Sequence, residues 1–173
     1  MTKAIILPYK GAMPKIDSSA YVAPNATLTG DVVIGADSSI WFNTVVRGDV
    51  NNIIIGARTN IQDNSVIHVA SKGQGTYIGD DVTVGHMALL HACTIGHRAF
   101  IGMQACIMDD AKVEDEAMVA AGALVTPGKV VGRHELWAGR PAKKKRNLTA
   151  EEIEYLSYSA QHYVGIAKEY IEN

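Results

Sequence analysis

Ile95-Gly96-His97-Arg98-Ala99-Phe100-Ile101-Gly102-Met103-Gln104-Ala105-Cys106-Ile107 sets an isoleucine at every sixth residue, twice followed by glycine. The same step runs outward in both directions. Upstream it takes in Val22, Leu28, Ile34, Ile40, Val46, Ile55, Ile61, Ile67, Ile78, Val84 and Leu90; downstream it takes in Val113, Val119 and Val125. These 17 positions are all Ile, Val or Leu, and 13 of the 16 intervals between them are six residues long. Those three residue types make up only 41 of 173 residues, so chance does not produce the run. A period of six is neither the 3.6 of a helix nor a two-residue alternation. It fits a β-helix in which each hexad is a short strand plus a corner. The aliphatic residue points into a narrow core, and Gly35, Gly56, Gly79, Gly85, Gly96 and Gly102 mark corners where the backbone bends.

The pattern resembles the hexapeptide-repeat family. That resemblance implies a left-handed parallel β-helix with three hexads per coil, over about residues 1–138 with their N-terminal lead-in. Residues 139–173 read differently. Gly139-Arg140-Pro141-Ala142 is a connection, and Lys143 to Arg146 is a basic run expected to be a solvated linker. Thr149 and Glu152 form a capping box. Ile153, Leu156, Ala160, Tyr163, Val164, Ala167 and Ile171 then recur at helical spacing, which predicts one amphipathic α-helix over about 150–171.

Composition excludes several classes. Sixteen basic residues against 18 acidic ones give a net charge of −2, unlike a binder that spreads a basic surface over nucleic acid. No run approaches the about 20 apolar residues that span a membrane. The N-terminal AIIL is too short for a secretory signal. Two cysteines, Cys93 and Cys106, give no disulfide framework, and a reducing, cytoplasmic setting is expected.

The breaks in the period place the histidines. Val46 to Ile55 carries three extra residues near Asp49–Asn52, Ile67 to Ile78 carries five extra in the 70–76 loop, and Leu90 to Ile95 is one short. Interruptions of a solenoid are where function is added. With three hexads per coil, Arg47, His68 and His91 follow the aliphatic positions of hexads five, eight and eleven, and stack in one column. Gln62 and His86 belong to hexads seven and ten, on a second edge. His86 is therefore not expected to meet His68 and His91 within one chain. Threefold packing brings one column against the other column of a neighbour, and predicts a homotrimer with three interfacial metal sites. His97, His134 and His162 share no such register and are given no role. Cys93 is read as a small turn residue.

Val46-Arg47-Gly48-Asp49, Asn60-Ile61-Gln62-Asp63-Asn64, Ile67-His68, Val84-Gly85-His86, Leu90-His91 and Gly139-Arg140-Pro141-Ala142 together resemble the γ-class carbonic anhydrase family. The resemblance runs from about Val22 to Ile171. It implies that His68, His86 and His91 bind zinc, or iron or cobalt in its place. It implies that Arg47, Asp49 and Asp63 hold the trimer interface and order the site. Gln62 would hydrogen-bond the metal-bound water or substrate, and Tyr163 would reach the site from the helix. The implied reaction is reversible hydration of carbon dioxide to bicarbonate by metal-bound hydroxide. One departure stands out: active members of the family can carry a glutamate beside the Arg-Gly-Asp segment and an acidic loop that export the proton. Here that position is Val50, and the 70–76 loop has no carboxylate. Two other readings stay open: a hexapeptide-repeat acyltransferase or thioesterase, and a metal-binding trimer without catalytic turnover.

Overall fold

The computed structural model describes residues 3–172. They form the left-handed parallel β-helix of about seven coils, with one C-terminal helix. The hexad register holds along its length. Val22, Ile40, Ile61, Val84, Ile101 and Val119 pair in one column. Leu28, Val46, Ile67, Leu90, Ile107 and Val125 pair in the second. Ile34, Ile55, Ile78, Ile95 and Val113 pair in the third. Ile16, Val131 and Trp137 extend the columns past both ends of the periodic run. The second and third faces join in one sheet because Thr27–Ile34 and Val45–Ile55 are continuous strands that bend across the shared corner.

Two details correct the sequence reading. First, each hexad sends two residues inward. The residue two before the aliphatic one is also buried, and in most hexads it is small: Ala26, Ser38, Thr44, Thr59, Ser65, Ala88, Ala99, Ala105, Ala111, Ala117 and Ala123. Side chains two apart on a strand share a face, and most sides of the narrow prism seat one large and one small residue, with Val32, Ile53 and Val82 as the larger exceptions. Cys93 occupies this small core position and is not a turn residue. Second, the glycines after the aliphatic residues are not where the chain turns left-handed. The residue three after each aliphatic one usually takes that conformation, as at Asn25, Asp37, Asn43, Asn64, Asp81 and Asp110. Gly102 is needed for stacking instead: a Cβ there would lie 2.4 Å from the backbone nitrogen of Ala121 on the next coil.

The helix spans Ala150–Glu172 and begins as the capping box predicts. The Thr149 amide donates to Glu152 Oε2 (2.9 Å), and the Glu152 amide donates to Thr149 Oγ1 (3.2 Å). It covers the first face, burying Leu156, Ser159, Ala160 and Ala167. Tyr163 and Tyr170 pack edge-on against Trp41, with ring centres 5.7 and 5.4 Å away. The basic run is not a linker: Lys143–Asn147 is an exposed strand, antiparallel to Glu135–Ala138, that ends the first sheet. Among the described residues no helix is long and apolar enough to cross a membrane.

Polar clasps between coils supplement the core. Glu116 accepts from Arg98, Arg133 and His134. Burial pushes its carboxyl up, but these three donors outweigh burial and hold it at about 2. Relative to its ordinary 4.5, that carboxylate stabilises the fold fully above about pH 4.5, and the contribution is lost as pH falls towards about 2. Acid unfolding is therefore expected to steepen across this window in the wild type and to flatten there in Glu116→Gln. Parallel curves would mean that the clasp does not contribute.

Candidate metal centre

Two corners of the solenoid carry the histidines. His68 and His91 end the strands Val66–His68 and Leu89–His91 on the second face and pair directly in register. Their ring centres are 5.1 Å apart. His86 follows the strand Thr83–Val84 of the first face, at the corner that leads into the second. The second face is thus bracketed by His86 on one edge and by the His68–His91 stack on the other. Among the described residues of one chain, no group of three His, Cys, Asp or Glu side chains converges to hold a metal.

Each of the three imidazoles meets one carboxylate through one ring nitrogen. His68 Nε2 lies 3.0 Å from Asp49 Oδ1, His86 Nδ1 lies 2.8 Å from Asp63 Oδ2, and His91 Nδ1 lies 2.6 Å from Asp109 Oδ1. A carboxylate that accepts an N–H fixes the tautomer and leaves the lone pair on the opposite nitrogen. Three neutral nitrogens of this kind suit zinc, and also iron or cobalt. Asp49 also pairs with Arg47, the next residue up the histidine column. Burial raises the Asp49 carboxyl, but hydrogen bonds from His68 and Arg47 prevail and hold it below its usual range. Asp63 accepts a further bond from the Phe42 amide (3.2 Å).

Asp109 is the residue that sequence reading missed. It lies 18 residues after His91. Leu90 pairs with Ile107, so this coil is 17 residues long and Asp109 sits one residue past the register partner of His91; coil counting alone did not mark it.

Gln62 and Tyr163 meet on the His86 side. Gln62 is buried, and its amide donates to Asn60 Oδ1 (3.0 Å). Asn60 donates to Thr83 Oγ1 (3.0 Å), which bonds to Ser159 of the helix (3.0 Å). Tyr163 and Ser159 share with Gln62, Thr83 and His86 a groove of about 360 Å³ between the helix and the corner. Burial, then the charge of Asp63, push the Tyr163 hydroxyl up, which keeps it a neutral phenol. Tyr163 therefore both packs against Trp41 and lines the groove beside His86.

The two longer interruptions also meet. Asn51 Nδ2 donates to the carbonyls of Gly73 (3.2 Å) and Ala70 (3.4 Å), tying the extra residues after Val46 to the loop after Ile67. Thr76 Oγ1 donates to the His68 carbonyl (2.5 Å), so the loop is anchored beside the histidine stack.

Comparison with known proteins places this arrangement. Residues 93–127 match the hexapeptide repeat of succinyl-transferase. The chain is 46% identical over 160 residues to a carbonic anhydrase of Geobacillus kaustophilus, covering 92% of this chain and 87% of that one. The chain belongs to the γ-class carbonic anhydrase family. It is also 51% identical over 160 residues to gamma carbonic anhydrase 2, mitochondrial, of Arabidopsis thaliana, covering 90% of this chain and 58% of the relative. The chain thus spans little more than half the length of that plant family member. Among solved structures, a Bacillus cereus protein described as a putative acetyltransferase superposes with a TM-score of 0.95 at 46% identity, covering 98% of each chain.

Within this family setting, the carboxylate behind His91 becomes testable. Asp109→Ala is expected to weaken zinc binding by about 10–100-fold while leaving the circular dichroism spectrum unchanged. Competition with a chelator measures it. Unaltered affinity would show that Asp109 does not set the His91 tautomer.

Proposed function

We propose that the chain hydrates carbon dioxide reversibly to bicarbonate at three metal sites in a homotrimer. Each site would take His68 and His91 from one subunit and His86 from the next. The observation that carries this reading is the second face. Its outward residues between the two histidine corners are Thr27, Val45, Val66, Leu89, Cys106 and Leu124, nearly all apolar. Val66 and Leu89 are exposed, and the C-terminal helix lies over the other sheet. An apolar strip of this kind calls for a partner surface. Turning it towards a threefold axis buries the strip and carries the His86 corner of one copy to the His68–His91 corner of the next.

The metal would be zinc, with iron or cobalt fitting the same ligands. Bound zinc lowers the pKa of water to about 7, a value that comes from carbonic anhydrase itself. The protein groups do the rest. Asp49 fixes the His68 tautomer through Nε2, and Asp63 and Asp109 fix those of His86 and His91 through Nδ1. Arg47 neutralises Asp49. The Gln62 amide nitrogen is held by Asn60, which leaves its carbonyl oxygen to orient the reacting water. Tyr163, as a neutral phenol, donates a hydrogen bond to a substrate oxygen. The solenoid would bear the metal ligands, and the helix Ala150–Glu172 would cover the first face and supply Tyr163. The cytoplasm is the proposed setting, although the plant relative is mitochondrial by name.

Protein purified without chelators is expected to hold one metal per subunit, and His86→Ala is expected to hold none. Co-assembly of His86→Ala with His91→Ala subunits provides the sharper test. Each mixed trimer has one interface at which both corners are wild type, so metal binding returns in the mixture. Mass spectrometry that finds metal in neither the wild type nor the mixture overturns the site.

Val50 is exposed, and the 70–76 loop carries no carboxylate. Proton export then falls to solvent and buffer. Stopped-flow hydration by the zinc-loaded protein is expected to rise with imidazole concentration at fixed pH. A rate independent of buffer would point to an internal relay elsewhere in the chain.

A further inference from the structure

The last strand of the solenoid is charged, exposed and paired on one side only. Lys143–Asn147 ends the eight-stranded sheet, and its one partner is Glu135–Ala138. All five of its residues are exposed. Among the described residues, no backbone hydrogen bond outside that pair reaches Lys143, Lys144, Lys145 or Arg146. The outer edge therefore presents amide and carbonyl groups to another chain. Charge is concentrated at the same end. Residues 129–147 hold seven of the 16 basic residues and one of the 18 acidic ones, a net of +6 against −8 for the rest of the chain. Glu135, Glu116 and Glu152 neutralise Lys144, Arg133 and Arg146. Lys129, Lys143 and Lys145 have no carboxylate partner among the described residues. A cavity of about 500 Å³ opens beside the start of the strand. Trp137, Pro141 and Ala142 line it together with Lys129, Lys143 and Lys144, and no acidic side chain does. Its Thr126 wall lies two coils beyond His91, and no metal ligand takes part in it.

We infer that this end of the first sheet docks an acidic, extended segment of a partner protein. The segment adds as a further strand outside Lys143–Asn147 and seats one apolar side chain in the cavity beside Trp137. Each feature selects one part of that partner. The open edge takes main-chain hydrogen bonds, which an extended chain supplies. The unpaired lysines call for carboxylates, since opposite charges across neighbouring strands stabilise the pair. The cavity calls for an apolar side chain, because the Trp137 indole N–H is already bonded to Glu135 (2.8 Å). A second copy of the same strand is disfavoured, because lysine would face lysine. Nucleic acid or an anionic membrane would meet the lysines but leave the strand edge without main-chain partners.

The probe is a capped, fluorescein-labelled nine-residue peptide in which glutamate alternates with valine or leucine. Fluorescence anisotropy is expected to show binding, and the bound peptide is expected to slow hydrogen exchange at the amides of residues 143–146. N-methylation of the central peptide amides, or serine in place of its valines and leucines, is expected to weaken binding by about tenfold or more. Lys143→Glu combined with Lys145→Glu is expected to do the same, with fold and metal content unchanged because both side chains are exposed. Failure of the peptide to bind overturns the inference. Equal binding of the N-methylated peptide also overturns it, since that result shows charge attraction without strand addition. Tighter binding of single-stranded DNA or of phosphatidylglycerol vesicles at the same salt concentration overturns it in favour of a polyanion.

Discussion

The structure depends on how closely one coil can lie on the next. Backbone sits on backbone at the spacing of neighbouring strands, and most sides of the triangular interior take one aliphatic and one small residue. Each consequence is visible in particular residues. Ile61, Ile67, Ile101 and Ile107 are fully buried, and Ala99, Ala105 and Ala117 fill the space beside them. Gly56, Gly79 and Gly102 carry no Cβ because the coil above or below occupies that position. Short polar residues at the left-handed corners, such as Asn43 and Asp110, tolerate a conformation that costs most side chains about 1–2 kcal/mol.

The same stacking makes the chemistry regular. A residue at a corner finds its neighbour one coil away, about 18 residues along the chain when no insertion intervenes. His86 and Asp63 follow this rule directly, whereas Asp109 lies one residue past the register partner of His91. The coil from Val46 to Ile67 is 21 residues long, and Asp49 reaches His68 from two residues past the register partner Arg47. Translation along the solenoid thus brings each carboxylate to within two residues of its histidine's register position, and for Asp49 the extra residues after Val46 make up the difference. The helix supplies the part that translation does not. Tyr163 and Ser159 reach the first face from outside it, and Thr83 ties that face to the helix by a single hydroxyl bond.

The family and the site support one another. The bare second face, the two histidine corners and the carboxylates behind them are the features on which the proposed threefold, metal-sharing assembly rests. The exposed Val50 and the uncharged 70–76 loop set this chain apart from the acid-relayed pattern of the family.

The fold was legible in the sequence because one inward residue in six must be aliphatic, and that demand repeats without reference to anything distant. The columns of Arg47, His68 and His91, the separation of His86 from them, and the capping box at Thr149 followed from counting. The small core position was legible in principle through the recurring alanines, but Cys93 passed for a corner residue. Only the tertiary structure decided the rest. It paired Lys143–Asn147 with Glu135–Ala138, since an exposed, charged strand has no apolar alternation to announce it. It set Asp109 behind His91, and it closed the groove between Tyr155, Met118 and His86. Those contacts join residues on different coils and on the helix. A periodic sequence fixes the step along the solenoid but carries no mark of which side chains converge across its outer surface.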